Sequence, residues 1–102
     1  MTKTSRKSNS DLAVHPGEFL AEEIDARGMT QRELARRLAR PEQVISEIVN
    51  GKKGIAVETA LGLERVLDVS ADFWLGLQMT YDLTMARRRH DARGRRSSRA
   101  KA

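Results

Sequence analysis

Apolar residues recur at helical spacing in five short stretches of this chain, and breakers separate the stretches. Phe19, Leu20 and Ile24 form the first stripe, behind Pro16 with Glu18 and Glu22 in the early turns, and Gly28 ends it. Thr30 is placed to N-cap a second helix, with Glu33 completing a capping box ahead of Leu34, Ala35 and Leu38. A three-residue break follows at Ala39-Arg40-Pro41, where Pro41 suits the first turn of a new helix and disfavours helical geometry at Arg40. Val44, Ile45, Ile48 and Val49 make the third stripe, and Asn50-Gly51 is a strong stop. Past the Lys52-Lys53-Gly54 turn, Ile55 and Val57 lead into a fourth helix over about 57–67, whose inward face is Ala60, Leu63, Val66 and Leu67. Ser70 is a candidate N-cap for a fifth helix, with Asp72 in its first turn. Phe73, Trp74, Leu77 and Tyr81 give that helix an apolar face, which continues through Leu83 and Met85 until arginines take over. No strand-like alternation competes and no repeat is visible. The pattern predicts an all-α fold, five helices in a small orthogonal bundle.

Charge divides the chain more sharply than hydropathy does. At 102 residues there is room for one domain and tails. The net charge is +5, but residues 87–102 carry +7 and residues 1–10 carry +3, which leaves −5 on residues 11–86. The expected organisation is therefore a basic N-terminal arm over 1–14, an acidic folded domain over 15–86 and a disordered Arg-rich tail over 87–102. With no cysteine, there is no disulfide framework, zinc–thiolate site or thiol nucleophile. No apolar run approaches membrane-spanning length, and MTKTSRKSNS lacks the apolar region of a signal peptide. A soluble, cytoplasmic protein is expected, with no membrane partner.

Two helices as short as those between Thr30 and Gly51 bury little by themselves, so the pair serves to present the second helix to something else. This is the outline of a helix-turn-helix, and the DNA major groove admits one helix. The flanking residues narrow the reading. His15-Pro16-Gly17-Glu18, Thr30-Gln31, the run from Ile45 to Lys52, Thr59-Ala60-Leu61, Phe73-Trp74-Leu75 and Tyr81-Asp82-Leu83 together resemble the HigA family of antitoxins. That family carries a lambda-repressor-like, XRE-type helix-turn-helix. The resemblance implies a homodimer that binds a small basic toxin similar to RelE, an mRNA-cleaving nuclease, and represses its own operon at double-stranded operator DNA. Three positions depart from the family pattern: Ala39 and Arg40 stand where Gly and Val are usual, and Ala56 replaces a Ser N-cap, forfeiting about 1 kcal/mol.

By the same resemblance, the base-reading residues are Glu42, Gln43 and Glu47, with Val44 and Ser46 close by. Gln43 can pair bidentately with adenine. The segment 42–50 holds two acids and no base, so phosphate contacts are expected from Gln31, Arg32, Arg40, Lys52 and Lys53. Glu42 reads equally as a favourable charge at a helix N-terminus, and Glu47 as part of a solvated face. The arginine tail is either a salt-sensitive DNA anchor or a solubilising tail. Trp74, Leu77 and Tyr81 are candidates for a two-fold dimer surface, with Phe73 and Leu77 suited to the core.

His15 and His90 lack nucleophiles or metal-ligand spacing, and there is no Gly-rich phosphate loop. No enzyme, cofactor, metal or small-molecule substrate is expected. The alternatives to an antitoxin are a stand-alone XRE-type regulator without a toxin and a protein-binding module that has drifted from DNA.

Overall fold

A computed structural model describes residues 13–101, with side chains as far as residue 94. Five helices and no strand occur among them: α1 (Pro16–Ala26), α2 (Gln31–Leu38), α3 (Glu42–Val49), α4 (Val57–Leu67) and α5 (Ala71–Lys101). Local chemistry sets most of the boundaries. The Thr30 hydroxyl accepts from the Glu33 amide at 3.0 Å, and the Ser70 hydroxyl accepts from the Phe73 amide at 3.1 Å. Gly28 and Gly51 take positive φ after α1 and α3. Ala39 closes α2 in the left-handed region, at φ 56° and ψ 44°, a conformation that disfavours a β-carbon. Ala56 caps α4 with no side-chain hydrogen bond.

Four expectations are corrected. The capping box is half made, because the Glu33 carboxylate accepts from Arg37 one turn on at 3.0 Å. Pro41 stands at the N-cap of α3 and not inside its first turn. Phe73, expected in the core, is 44% exposed. The disordered tail expected from Arg87 is instead a continuation of α5 to Lys101. Its run of arginines and alanines has high helix propensity, contains no proline, and extends a helix already nucleated on the core. The expected N-terminal arm lies outside the described residues except for Ala13 and Val14.

The core is one cluster drawn from all five helices, with Leu20, Leu34, Ile45, Ile48, Leu63 and Trp74 fully buried. Helix α3 packs on α1 and α2, while α5 packs on α4 and α1. Long-range polar contacts lock the corners. Arg27 donates to the Leu67 carbonyl at 2.7 Å, joining the ends of α1 and α4, and Arg65 donates to the Arg37 carbonyl at 3.2 Å. The Gln78 carboxamide oxygen accepts from the Ile55 amide at 2.7 Å, tying α5 to the segment after α3.

Candidate nucleic-acid interface

Helix α3 has two faces with different work. Ile45 and Ile48 are buried, and half-buried Val44 and Val49 pack against the same core. Opposite them, Glu42, Gln43, Ser46, Glu47 and Asn50 fall on one continuous arc at 100° per residue. Val44, expected near the bases, stands at the edge of this arc, half-buried and packed against the core. Asn50 is an addition, legible from its spacing four residues after Ser46 and seven after Gln43.

The position of α3 is fixed by unusually close backbone packing. A β-carbon on Gly17 would overlap the carbonyl oxygen of Ile48, so only glycine lets α1 approach α3 this closely. At the far end, the Glu47 carbonyl accepts from the amides of Lys52 at 2.8 Å and Lys53 at 3.2 Å. This holds the turn that carries both exposed lysines against the end of the helix.

Hydrogen bonds organise the outward arc. Gln43 Nε2 donates to Glu47 Oε2 at 3.3 Å, and Asn50 Nδ2 donates to Ser46 Oγ at 3.3 Å. Across the turn, exposed Arg32 of α2 approaches Glu42, Nε to Oε1 3.5 Å. The expected phosphate ligands divide by position. Arg32 stands beside the arc, Gln31 is half-buried at the start of α2, and Lys52 and Lys53 follow α3. Arg40 is exposed in the turn just before α3 and also lines a cleft of about 270 Å³ with Leu38, Glu58, Thr59, Leu61, Gly62 and Arg65.

Helix α5 separates its aromatic residues. Trp74, expected at a dimer surface, is fully buried, and its indole N–H donates to the Val69 carbonyl at 3.1 Å. Phe73 is the outer neighbour, its ring stacked edge-on against Phe19 at 5.1 Å. Leu77 and Tyr81 are half-buried. The outward apolar stripe of α5 is Leu75, Met79 and Leu83, of which Met79 is 64% exposed. Beyond it Arg87, Arg88, Arg89 and Arg93 are exposed.

His15 joins the two regions. Its Nδ1 accepts from the Gly17 amide at 2.9 Å, which makes it the N-cap of α1, and its ring meets Tyr81 of α5 edge-on at 4.8 Å. Burial lowers its pKa from the ordinary 6.5, against smaller upward pulls from Glu18 and Asp82. Among the described residues no group of three His, Asp or Glu could hold a metal ion, and no helix is long and apolar enough to cross a membrane.

The profile of the Helix-turn-helix family matches residues 20–74, from α1 to the buried Trp74. A solved addiction module antidote protein of the HigA family from Coxiella burnetii is similar at 38% identity and TM-score 0.74, covering 79% of this chain and 89% of that one. The chain belongs to the HigA-type helix-turn-helix family. This HigA-type chain is similar in structure to the Pseudomonas aeruginosa antitoxin HigA, solved with the higBA promoter, at 34% identity and TM-score 0.74, over 83% of this chain and 90% of that one. In sequence it is 42% identical over 79 residues to virulence-associated protein I of Dichelobacter nodosus, covering 76% of this chain and 73% of the relative.

Proposed function

We propose that this protein is a cytoplasmic, non-catalytic antitoxin that represses its own operon by placing α3 in the DNA major groove and neutralises a small basic mRNA-cleaving toxin. The observation that carries the DNA half is the polar arc of α3, held rigid by the Gly17–Ile48 approach and flanked by Arg32, Lys52 and Lys53. The likeness to a HigA antitoxin solved with promoter DNA supports the same reading. Base contacts fall to Glu42, Gln43, Ser46, Glu47 and Asn50. Phosphate contacts fall to Gln31, Arg32, Arg40, Lys52 and Lys53, with the arginines of α5 adding attraction without sequence preference.

The protein acts as a homodimer whose contact is the Leu75–Met79–Leu83 stripe of α5, extended by Leu77 and Tyr81 where they reach the surface. Two-fold symmetry then sets two copies of α3 about 34 Å apart, one DNA turn. The toxin half rests on family membership and on charge. A basic nuclease is steered toward a body carrying −5 over residues 11–86.

A gel shift with DNA from upstream of its own gene, titrated in salt, tests the first half. Binding no tighter than to random DNA removes the repressor role. Co-expression with the product of the adjacent gene tests the second. A stable complex with a small basic protein is expected, whereas specific DNA binding without such a partner would make the protein a stand-alone regulator.

A further inference from the structure

The side chains that α3 turns outward are rich in hydrogen-bond acceptors and poor in donors. Glu42 and Glu47 are carboxylates, which accept only when ionised. The contact between Gln43 and Glu47 must therefore come from Nε2, and this fixes the carboxamide so that Oε1 is turned away from Glu47. Asn50 directs one Nδ2 hydrogen to Ser46 Oγ and leaves its oxygen unengaged. Its second N–H and the Ser46 O–H are, with the second N–H of Gln43, the few neutral donors on the arc. No lysine or arginine occurs from Glu42 to Asn50. The Arg32 guanidinium beside the arc approaches Glu42.

DNA bases are not equally compatible with such a face. Guanine shows only acceptors in the major groove, N7 and O6, and thymine shows O4 and a methyl group. Either would set oxygen or nitrogen lone pairs against carboxylates. Adenine N6 and cytosine N4 are the exocyclic amines that donate into the groove. We propose that α3 reads DNA through these amino groups, adenine N6 and cytosine N4, and makes no direct contact with guanine. This inference rests on the DNA-binding reading above. In it, Gln43 places Oε1 on adenine N6, and its second N–H remains available for N7. Glu47 acts twice: its Oε2 orients the Gln43 carboxamide, and its Oε1 accepts from a cytosine N4. Glu42 supplies a further acceptor at the start of the helix, where Arg32 offsets its repulsion from the phosphates. Attraction and recognition are thereby separated, because the lysines and arginines that pull DNA in stand outside the reading arc.

The test uses the full chain and the promoter fragment that footprinting identifies, carrying single modified bases in the protected half-site. N6-methyladenine and N4-methylcytosine place a methyl group where the major-groove N–H would be, and 7-deazaguanine removes the N7 acceptor. Affinity is expected to fall about 5- to 100-fold at one or more methylated amines, the scale of a good base contact, while 7-deazaguanine changes it less than about twofold. Sensitivity to 7-deazaguanine, or indifference to every methylated amine, overturns the inference. If the unmodified promoter is bound no better than random DNA, the DNA-binding reading itself has failed, a result distinct from the other two. The variant Glu47→Gln addresses positioning. It keeps the size of the side chain but lets the Gln43 carboxamide turn over, so discrimination between adenine and guanine at the position Gln43 reads should shrink about tenfold, with melting temperature unchanged. Unaltered discrimination would remove Glu47 from its positioning role.

Discussion

Helix α3 and the distal half of α5 both expose charged residues, but they are held in opposite ways. Helix α3 is only eight residues long, yet Ile45 and Ile48 are buried beneath it, Gly17 admits α1 against its last carbonyls, and the next turn is tied to the Glu47 carbonyl. The segment from Arg87 onward has no buried residue where its side chains are described and continues a helix whose earlier turns pack on the core, with Ala71 and Trp74 buried and Leu75 and Leu77 against it. The anchored element carries two acids and no base, whereas residues 87–102 carry eight of the chain's 19 lysines and arginines against a single acid. Base discrimination needs fixed geometry, while attraction to phosphates needs only charge of the right sign. Under the proposed function, the two requirements fall to different segments.

The contrast between anchored and projecting segments is most vulnerable at the base of α5. Trp74→Ala should cost about 3–5 kcal/mol in urea unfolding, because it empties a fully buried indole site and orphans the Val69 carbonyl. Leu83→Ala, on the exposed stripe, should leave monomer stability within about 0.5 kcal/mol and instead weaken self-association in sedimentation. A destabilised Leu83→Ala monomer would mean that the stripe belongs to the core. Next in size is Gly17→Ala. Its methyl meets a backbone carbonyl that cannot rotate away, so about 2–3 kcal/mol of stability should be lost together with specific DNA binding. Calorimetry alongside a gel shift separates the two effects, and unimpaired recognition would show that α3 is less firmly set than its packing implies.

For the projecting arginines, the expected change lies in salt dependence and not in sequence preference. Replacing Arg87, Arg88, Arg89 and Arg93 by Gln should flatten the dependence of log affinity on log salt by about 0.9 for each phosphate that is no longer neutralised. The ratio of promoter to random DNA binding should hold. A fall in that ratio would give these arginines a role in reading.

Much of this architecture is legible in the sequence because its signals are local. Thr30, Ser70 and Gly28 act within one turn, and they mark helix boundaries to within a residue. What the sequence conceals depends on neighbours distant in the chain. Phe73 and Trp74 are adjacent and differ by 100° around α5, so periodicity alone leaves open which one turns inward; the packing of α1 and α4 decides for Trp74. Gly17 reads as an unremarkable residue in a first turn until α3 is laid against it. Charge alone argues for disorder in the arginine-rich stretch, yet its helix propensity and its nucleated start extend α5 through it.

His15 links the two regions, and its effect should be the smallest and the most sensitive to pH. Its neutral Nδ1 accepts from the Gly17 amide at the point where α1 meets α3, and its ring rests on Tyr81 of α5. Because burial lowers its pKa below the ordinary 6.5, the folded state prefers the neutral form and the unfolded state binds the proton more readily. The His15 contribution is thus fully present above 6.5 and is lost progressively as pH falls from 6.5 through the lower folded-state pKa. Protonation also removes the acceptor that caps α1, which acts in the same direction. Urea melts of the protein and of His15→Asn across this range should show the difference. Asparagine can keep the cap through its oxygen but cannot titrate, so the variant should be less stable at neutral pH, where the Tyr81 contact is missed, and the gap should narrow in acid. Parallel pH profiles for the two proteins would mean that His15 is not the titrating group.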